Sequence, residues 1–244
     1  MAHKGFREPG EKPKRFYKTV DVRPGEGGYQ VLLDGRSPRS ARGTKLSAPT
    51  ETLAQMLAVE WAGQGEFIEL AGMSATRLAF TALEAIPQAR EATAQQFADY
   101  AGSDLICYFA EAPDTLVQRQ TAAWSPILER AAQELSLVFQ TARGIRHVAQ
   151  PPLTLTRTRD MALDFDDFRL AGLAFGAPLF GSAILTLGLQ RQWFSGAEAH
   201  GLSRIDEAYQ EEKWGIDEEA AERTARLAAD SEMLSRWFAE LNTG

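Results

Sequence analysis

Residues Leu170–Leu189 read LAGLAFGAPLFGSAILTLGL, a run without a single charge. A helix that is apolar on every side is either a membrane span or the buried centre of a sizeable fold. Its length suits a span, since about twenty apolar residues cross a bilayer. Three features favour the buried centre. Pro178 interrupts the run, because proline lacks the N–H and its ring clashes with the preceding turn. Gly172, Gly176, Gly181 and Gly188 dilute the hydrophobicity. Asp164, Asp166 and Asp167 crowd the entry, and no aromatic-and-basic belt frames both ends. The stretch therefore reads as a buried helix pair broken near Ala177–Pro178, with no membrane insertion. Its glycines would let neighbouring helices approach closely.

Working outward, 244 residues make one large domain or two small ones. A chain of this size buries about 70–75% of its unfolded surface and needs no disulfide or metal staple. Composition is that of an ordinary globule, 44% hydrophobic and 24% charged. Cys107 is the single cysteine, so no internal disulfide forms, and a reducing compartment is the natural setting. The start, MAHKGF, lacks the apolar core of a secretory signal and makes a poor mitochondrial presequence. The net charge of −7 is uneven: residues 1–45 carry +6 and the remainder −13. That asymmetry predicts two regions with different surfaces.

Residues 1–14, rich in Gly, Pro and charge, read as a flexible tail. Arg15–Val22 and Tyr29–Leu33 alternate in the manner of strands, joined by the Pro24–Gly28 loop. Asp34-Gly35 suits a type I′ hairpin into Arg36–Ala41. Residues 15–48 thus form a β-rich N-terminal region, to which 66–70 and a hairpin near 136–149 are candidates to join. From 49 to 244 the pattern is helical. Pro49 opens a helix ending near Ala62, and further helices span 74–86, 88–110 and 116–135. Ser195 and Glu198 make a capping box for a helix through Leu202, Ile205 and Tyr209 that stops at Gly215, and a last helix covers about 217–240. The fold class is α+β, a small antiparallel region followed by a larger helical domain.

Catalytic signatures are absent: no phosphate-binding loop, dinucleotide fingerprint, zinc-protease motif or serine elbow occurs. His3, His147 and His200 lack partners at metal-ligand spacing. Cys107 sits in LICYF, the setting of an inert packed thiol. Two charged features remain. Arg36, Arg39, Arg42 and Lys45 place a cation every third residue around a hairpin. This pattern fits a nucleic-acid arm or a solvated strand edge protected by charge; with no interleaved aromatic and a −13 remainder, the edge is favoured. The second is RIDEAYQEEKWG, 204–215, within a segment (198–222) holding nine acids and two bases. Helical periodicity puts Leu202, Ile205 and Tyr209 on a buried face, Asp206, Gln210 and Lys213 on an exposed stripe, and Glu207 with Glu211 on another. Such a face is either a solvated one or a docking surface for a partner, with Trp214 as an aromatic anchor. A carboxylate-based enzyme using Asp206 with Glu207 or Glu211 is the remaining alternative, although adjacent acids on a helix diverge.

These stretches resemble a known family in order: RFYKTVDV (15–22), VLLDGR (31–36), KLSAPT (45–50), AVEWAGQGEFI (58–68), MSATRL (73–78), YAGSDLICYFAEAPDTL (100–116), WSPIL (124–128), GIRHVAQP (144–151), FGSAI (180–184) and RIDEAYQEEKWG (204–215). The chain is similar to the assembly chaperones of F-type ATP synthase that hold the free α subunit of the catalytic head. The resemblance implies a non-enzymatic protein without cofactors, whose partner is the unassembled α subunit, shielded from aggregation until the β subunit arrives. It implies no small-molecule substrate and no nucleic acid. Absent a presequence, it implies the bacterial cytoplasm, the mitochondrial matrix being the eukaryotic equivalent. By the same resemblance Asp206 is the critical acid, with Glu207, Gln210, Glu211 and Trp214 beside it in partner binding, while Trp61 and Trp124 are structural. Ser40-Ala41 stands where relatives have Thr-Pro, Ser74 where they have proline, and Ser125 where they have an acid.

Overall fold

The computed structural model describes residues 13–144 and 146–243. The expected tail therefore falls mostly outside the described residues; Pro13 and Lys14 lie within them and pair with 66–68, through Ile68 N–H to Pro13 O at 2.8 Å and Arg15 N–H to Glu66 O at 2.8 Å. The chain divides into two compact units between Arg77 and Leu78.

The first unit is built on an antiparallel sheet of β1 (Val20–Gly25), β2 (Gly28–Leu33) and β3 (Ser47–Ala48), in that order. The predicted first strand starts later than expected, because Asp34 turns back and its carboxylate accepts the N–H groups of Lys18 and Thr19. The expected Pro24–Gly28 loop tightens to a two-residue turn, since Gly25 pairs directly with Gly28. Asp34 and Gly35 both take positive φ, 46° and 79°, and Leu33 pairs with Arg36, as a type I′ hairpin requires. α1 (Glu51–Ala62) packs on β1 and β2. Its N-cap is Thr50, whose hydroxyl accepts Leu53 N–H, so Pro49 lies just before the helix rather than in its first turn. Trp61 is buried, edge-on to Tyr17, whose hydroxyl donates to Trp61 O at 2.7 Å. Glu60 receives Ala75 and Thr76 N–H at 2.9 and 2.7 Å, capping α2 (Ser74–Glu84).

The second unit is mostly helical: α3 (Ile86–Gly102), α4 (Asp114–Leu135), α5 (Pro152–Asp164), α6 (Asp167–Phe180), α7 (Ala183–Gln190), α8 (Gly196–Ser203), α9 (Ile205–Trp214) and α10 (Glu218–Leu241). α4 runs unbroken through Pro126. Among the described residues the hairpin expected near 136–149 is absent. Ala142–Arg143 (β5) instead pairs parallel with Tyr108–Phe109 (β4). The Gln150 amide takes the place of a strand partner, accepting Gln140 N–H and donating to Gln140 O, both at 2.9 Å.

The uncharged stretch is the centre, and among the described residues no helix is long and apolar enough to cross a membrane. Its break lies three residues beyond Pro178, which the last turn of α6 tolerates. Gly181 adopts φ 62°, the left-handed conformation that ends helices cheaply only for glycine, and Ser182 caps α7. A Cβ on Gly172 would stand 2.6 Å from the Phe238 ring, and one on Gly176 2.8 Å from Leu234, so both glycines let α10 lie against α6. Behind the junction sits Asp104, fully buried. Its carboxylate accepts Ile106 N–H at 3.3 Å and Ile184 N–H at 3.0 Å, tying the turn after α3 to the start of α7. Burial pushes its pKa up to about 7, against the pull of Ser182 and these backbone donors. Cys107 is buried and unpaired, its thiol pushed up by desolvation and by Asp104.

Two outcomes follow. Gly176→Ala forces its Cβ against Leu234 and Thr186, and calorimetry should show a loss of about 1–3 kcal/mol. Because folding raises the Asp104 pKa, its protonated form is favoured in the fold: this contribution is complete below the unfolded carboxylate pKa and is lost as pH rises through about 7. Stability measured from pH 4 to 8 should carry that component, and Asp104→Asn should lack it.

A charged helix pinned to its neighbour by polar groups

The 204–215 segment does not continue the preceding helix. The chain breaks at Arg204, φ −122° and ψ 24°, separating α8 from α9. The capping box at the start of α8 is complete, with Ser195 and Glu198 exchanging bonds. At the far end Gly215, φ 84°, releases the chain before Asp217 caps α10. Only Ile205 of α9 is buried. The helix is held to α4 chiefly by polar contacts.

Those contacts join α4 to α9, with one more from α4 to the end of α8. Trp124, buried and edge-on to Phe109, donates its indole N–H to Leu202 O at 2.9 Å. One turn away Gln120, fully buried, donates Nε2–H to Asp206 Oδ1 at 2.5 Å while its Oε1 accepts Ala110 N–H at 2.7 Å. Thr115 and Tyr209 share a hydroxyl bond at 2.8 Å, and Arg119 grips Glu212 with two nitrogens at 2.7 and 2.9 Å. The Arg119 guanidinium and the Lys213 ammonium both lie over the Tyr209 ring.

Asp206 is therefore not on an exposed stripe with Gln210 and Lys213, as periodicity predicted. It is half-buried against α4 because the fully buried Gln120 amide has a donor that must be satisfied. Burial, and to a smaller extent Glu207, holds its carboxyl above the usual range, while Gln120 works against them. Glu212 is lowered by the donated bonds of Arg119. Glu207 and Gln210 remain exposed, and Trp214 is 79% exposed at the helix end. Glu211 is half-buried and clasped by Arg204 at 2.5 Å.

On its other side α9 borders a cleft of about 570 Å³. Leu105, Phe180 and Leu227 line it together with Glu207, Glu211 and Arg223. His200, at the cleft, is lowered by burial and by Arg204, against the pull of Glu211. Among the described residues no cluster of three metal-ligating side chains occurs. His200 and Ser203 both line the cleft, and the Ser203 hydroxyl donates to His200 O at 2.9 Å.

Gln120 and Arg119 escaped the sequence reading, as did the bond of Arg204 to Glu211. One signal was available: Leu116, Gln120 and Trp124 fall at i, i+4 and i+8, which sets a glutamine in a buried stripe where its amide needs partners.

Comparison with known proteins gives a consistent result. Residues 14–132 match the model of the ATP12 chaperone protein family. The chain is 23% identical to the mitochondrial protein atp12 of Schizosaccharomyces pombe, over 94% of this chain and 84% of that protein. It superposes on the crystal structure of Atp12 from Paracoccus denitrificans with a TM-score of 0.87 at 37% identity, covering 93% of this chain and 98% of that one. A protein of Agrobacterium tumefaciens superposes with a TM-score of 0.87 at 35% identity, over 94% and 87% of the two chains.

Gln120→Met keeps the volume but leaves Ala110 N–H and the half-buried Asp206 without their partner. Denaturant unfolding should register a loss of about 2–3 kcal/mol. Because Gln120 lowers the Asp206 pKa, its removal should raise it, a change readable by carboxyl-carbon NMR titration.

Proposed function

Since the chain belongs to the ATP12 chaperone protein family, we propose that it assists assembly of the ATP synthase catalytic head by capturing the free α subunit on the outer face of α9. It acts by binding and carries out no catalysis. The observation that supports this reading is the division of α9 into two sides. Its inner side is fastened to α4, while Glu207, Gln210 and Trp214 face solvent. A solvated helix has no need of a tryptophan at its tip, whereas burying such a ring at the centre of an interface is a recurrent source of binding energy. The surrounding acids suit a client surface bearing Lys or Arg and would make the encounter salt-sensitive.

Asp206 has two roles in this reading. One oxygen fixes α9 through Gln120, and its charge adds to that of Glu207 on the client side. Capture holds the α subunit soluble until the β subunit displaces the chaperone. We set this in the bacterial cytoplasm, since the similar solved chains come from bacteria.

The test is dilution of urea-unfolded α subunit into buffer with and without the chaperone, followed by light scattering and by co-purification, with the β subunit as control. The parent chain should suppress aggregation of α only. Trp214→Ala, altering an exposed side chain, should fold normally and bind α more weakly by about thirtyfold, the scale of a 2 kcal/mol hot spot. Asp206→Lys should abolish capture while circular dichroism stays helical. If both variants retain α as the parent does, α9 is not the client site.

A further inference from the structure

The sheet of the first unit has an edge that none of the contacts described so far employs. Leu33 N–H bonds to Arg36 O, Val31 N–H to Leu46 O, and Asp34 N–H to Thr19 O. With the register Val20↔Leu33 and Val22↔Val31, these bonds fix which way each backbone group of β1 points. Thr19, Asp21 and Arg23 bond toward β2. Val20, Val22 and Pro24 turn theirs away from the sheet, by the alternation of an antiparallel ladder. Pro24 has no N–H, which blunts one end of the edge. Among the described residues no backbone bond takes up the N–H and C=O groups of Val20 and Val22, which present a template.

Beside that template lies a groove of about 410 Å³ between β1 and α1. Val20, Val22, Ala58 and Val59 line it, and Val59 is 63% exposed. Among the described residues that line it, the charged ones are Asp21 and Glu51, both acidic. Outward-facing backbone groups specify an extended chain, because only a strand presents donors and acceptors at the matching repeat. The apolar groove specifies apolar side chains at alternate positions of that chain, and the acidic rim specifies a lysine or arginine beside them.

We propose that β1 and its groove take an extended segment of the captured α subunit as an added strand, a second contact separate from α9. This rests on the chaperone reading above. It gives the chaperone a means of covering an unpaired strand edge, the feature of an unassembled subunit most prone to aggregation.

The test is backbone hydrogen exchange of the full chain, alone and after α subunit is diluted into it from urea. Exchange at Val22 N–H should slow at least about tenfold in the complex, as for a newly bonded amide. Val22→Pro deletes that N–H without touching the ladder to β2, and Pro24 shows that this edge accommodates the ring. Val59→Glu puts a like charge into the groove from an exposed helix position. Each variant should weaken α capture by about tenfold, the scale of one well-placed interaction, while Val59→Leu should not. Protection of α9 with unchanged exchange at Val20 and Val22 overturns the proposal and leaves the chaperone reading standing. Absence of any complex overturns both. Two results in the chain alone also overturn it: concentration-dependent protection of Val22, which assigns the edge to a second copy, and protection lost on deleting residues 1–12, which assigns it to the chain's own start.

Discussion

The second unit depends on how near α10 can come to α6. Gly172 and Gly176 lie under Phe238 and Leu234, and any side chain there would occupy the space those residues fill. Trp237 completes the contact, stacking on Phe168 and donating its indole N–H to Phe168 O at 3.1 Å. α8 packs on α10 in turn; Gly196 meets the Ser231 backbone at a distance that leaves no room for a Cβ. The position of α8, and hence of Arg204 where α9 begins, is inherited from two glycines some thirty residues upstream. A buried, uncharged centre is what makes such inheritance exact enough to matter, since close-packed interiors transmit displacement rather than absorb it.

α9 stands outside that regime. With Ile205 as its only buried residue, it draws little from apolar burial. Its position comes from hydrogen bonds arranged along α4, each of which nets about 1 kcal/mol because water competes for the same groups. The buried end of each bond is more demanding than the exposed end: Gln120 cannot turn to solvent, so its amide dictates where Asp206 must sit. The cis Ala112–Pro113 peptide lies just before α4, and Ala110 N–H on the same loop is bound by the same amide. Loop, helix and carboxylate are therefore fixed by one side chain.

How much of this was legible beforehand follows from the range of each interaction. The uncharged stretch announced a buried centre, and Asp34-Gly35, Ser195 with Glu198 and the terminal helix were readable because their causes lie within four residues of one another. The break of the central pair was misplaced at Pro178. A proline penalty is local and visible, whereas the left-handed residue that ends the helix is decided by where the next helix must start, and Asp104 sets that from eighty residues away. The hairpin near 136–149 failed for the same reason, its strand partners being Tyr108 and the Gln150 side chain. The acidic motif was legible as a surface helix with a tryptophan tip. The burial of Asp206 was not, because a helical wheel assigns faces from the helix's own apolar residues and cannot register a polar partner on another helix.

A fully exposed acid contributes charge alone, and salt screens it. A half-buried acid held by Gln120 also carries structural information, since its bond is one of those that fasten α9 to α4, beside Tyr209 to Thr115 and Glu212 to Arg119. The few polar bonds that place α9 are comparable in free energy to a single interface hot spot. Contacts to the outer face of α9 are then energetically coupled to its docking on α4: whatever stabilises one stabilises the other, and by the same amount. An apolar interface of ordinary size would remove that coupling by fixing α9 irrespective of its load. On the reading proposed above, polar pinning orders the helix so that Trp214 is presented, and lets its docking answer to what binds its outer face.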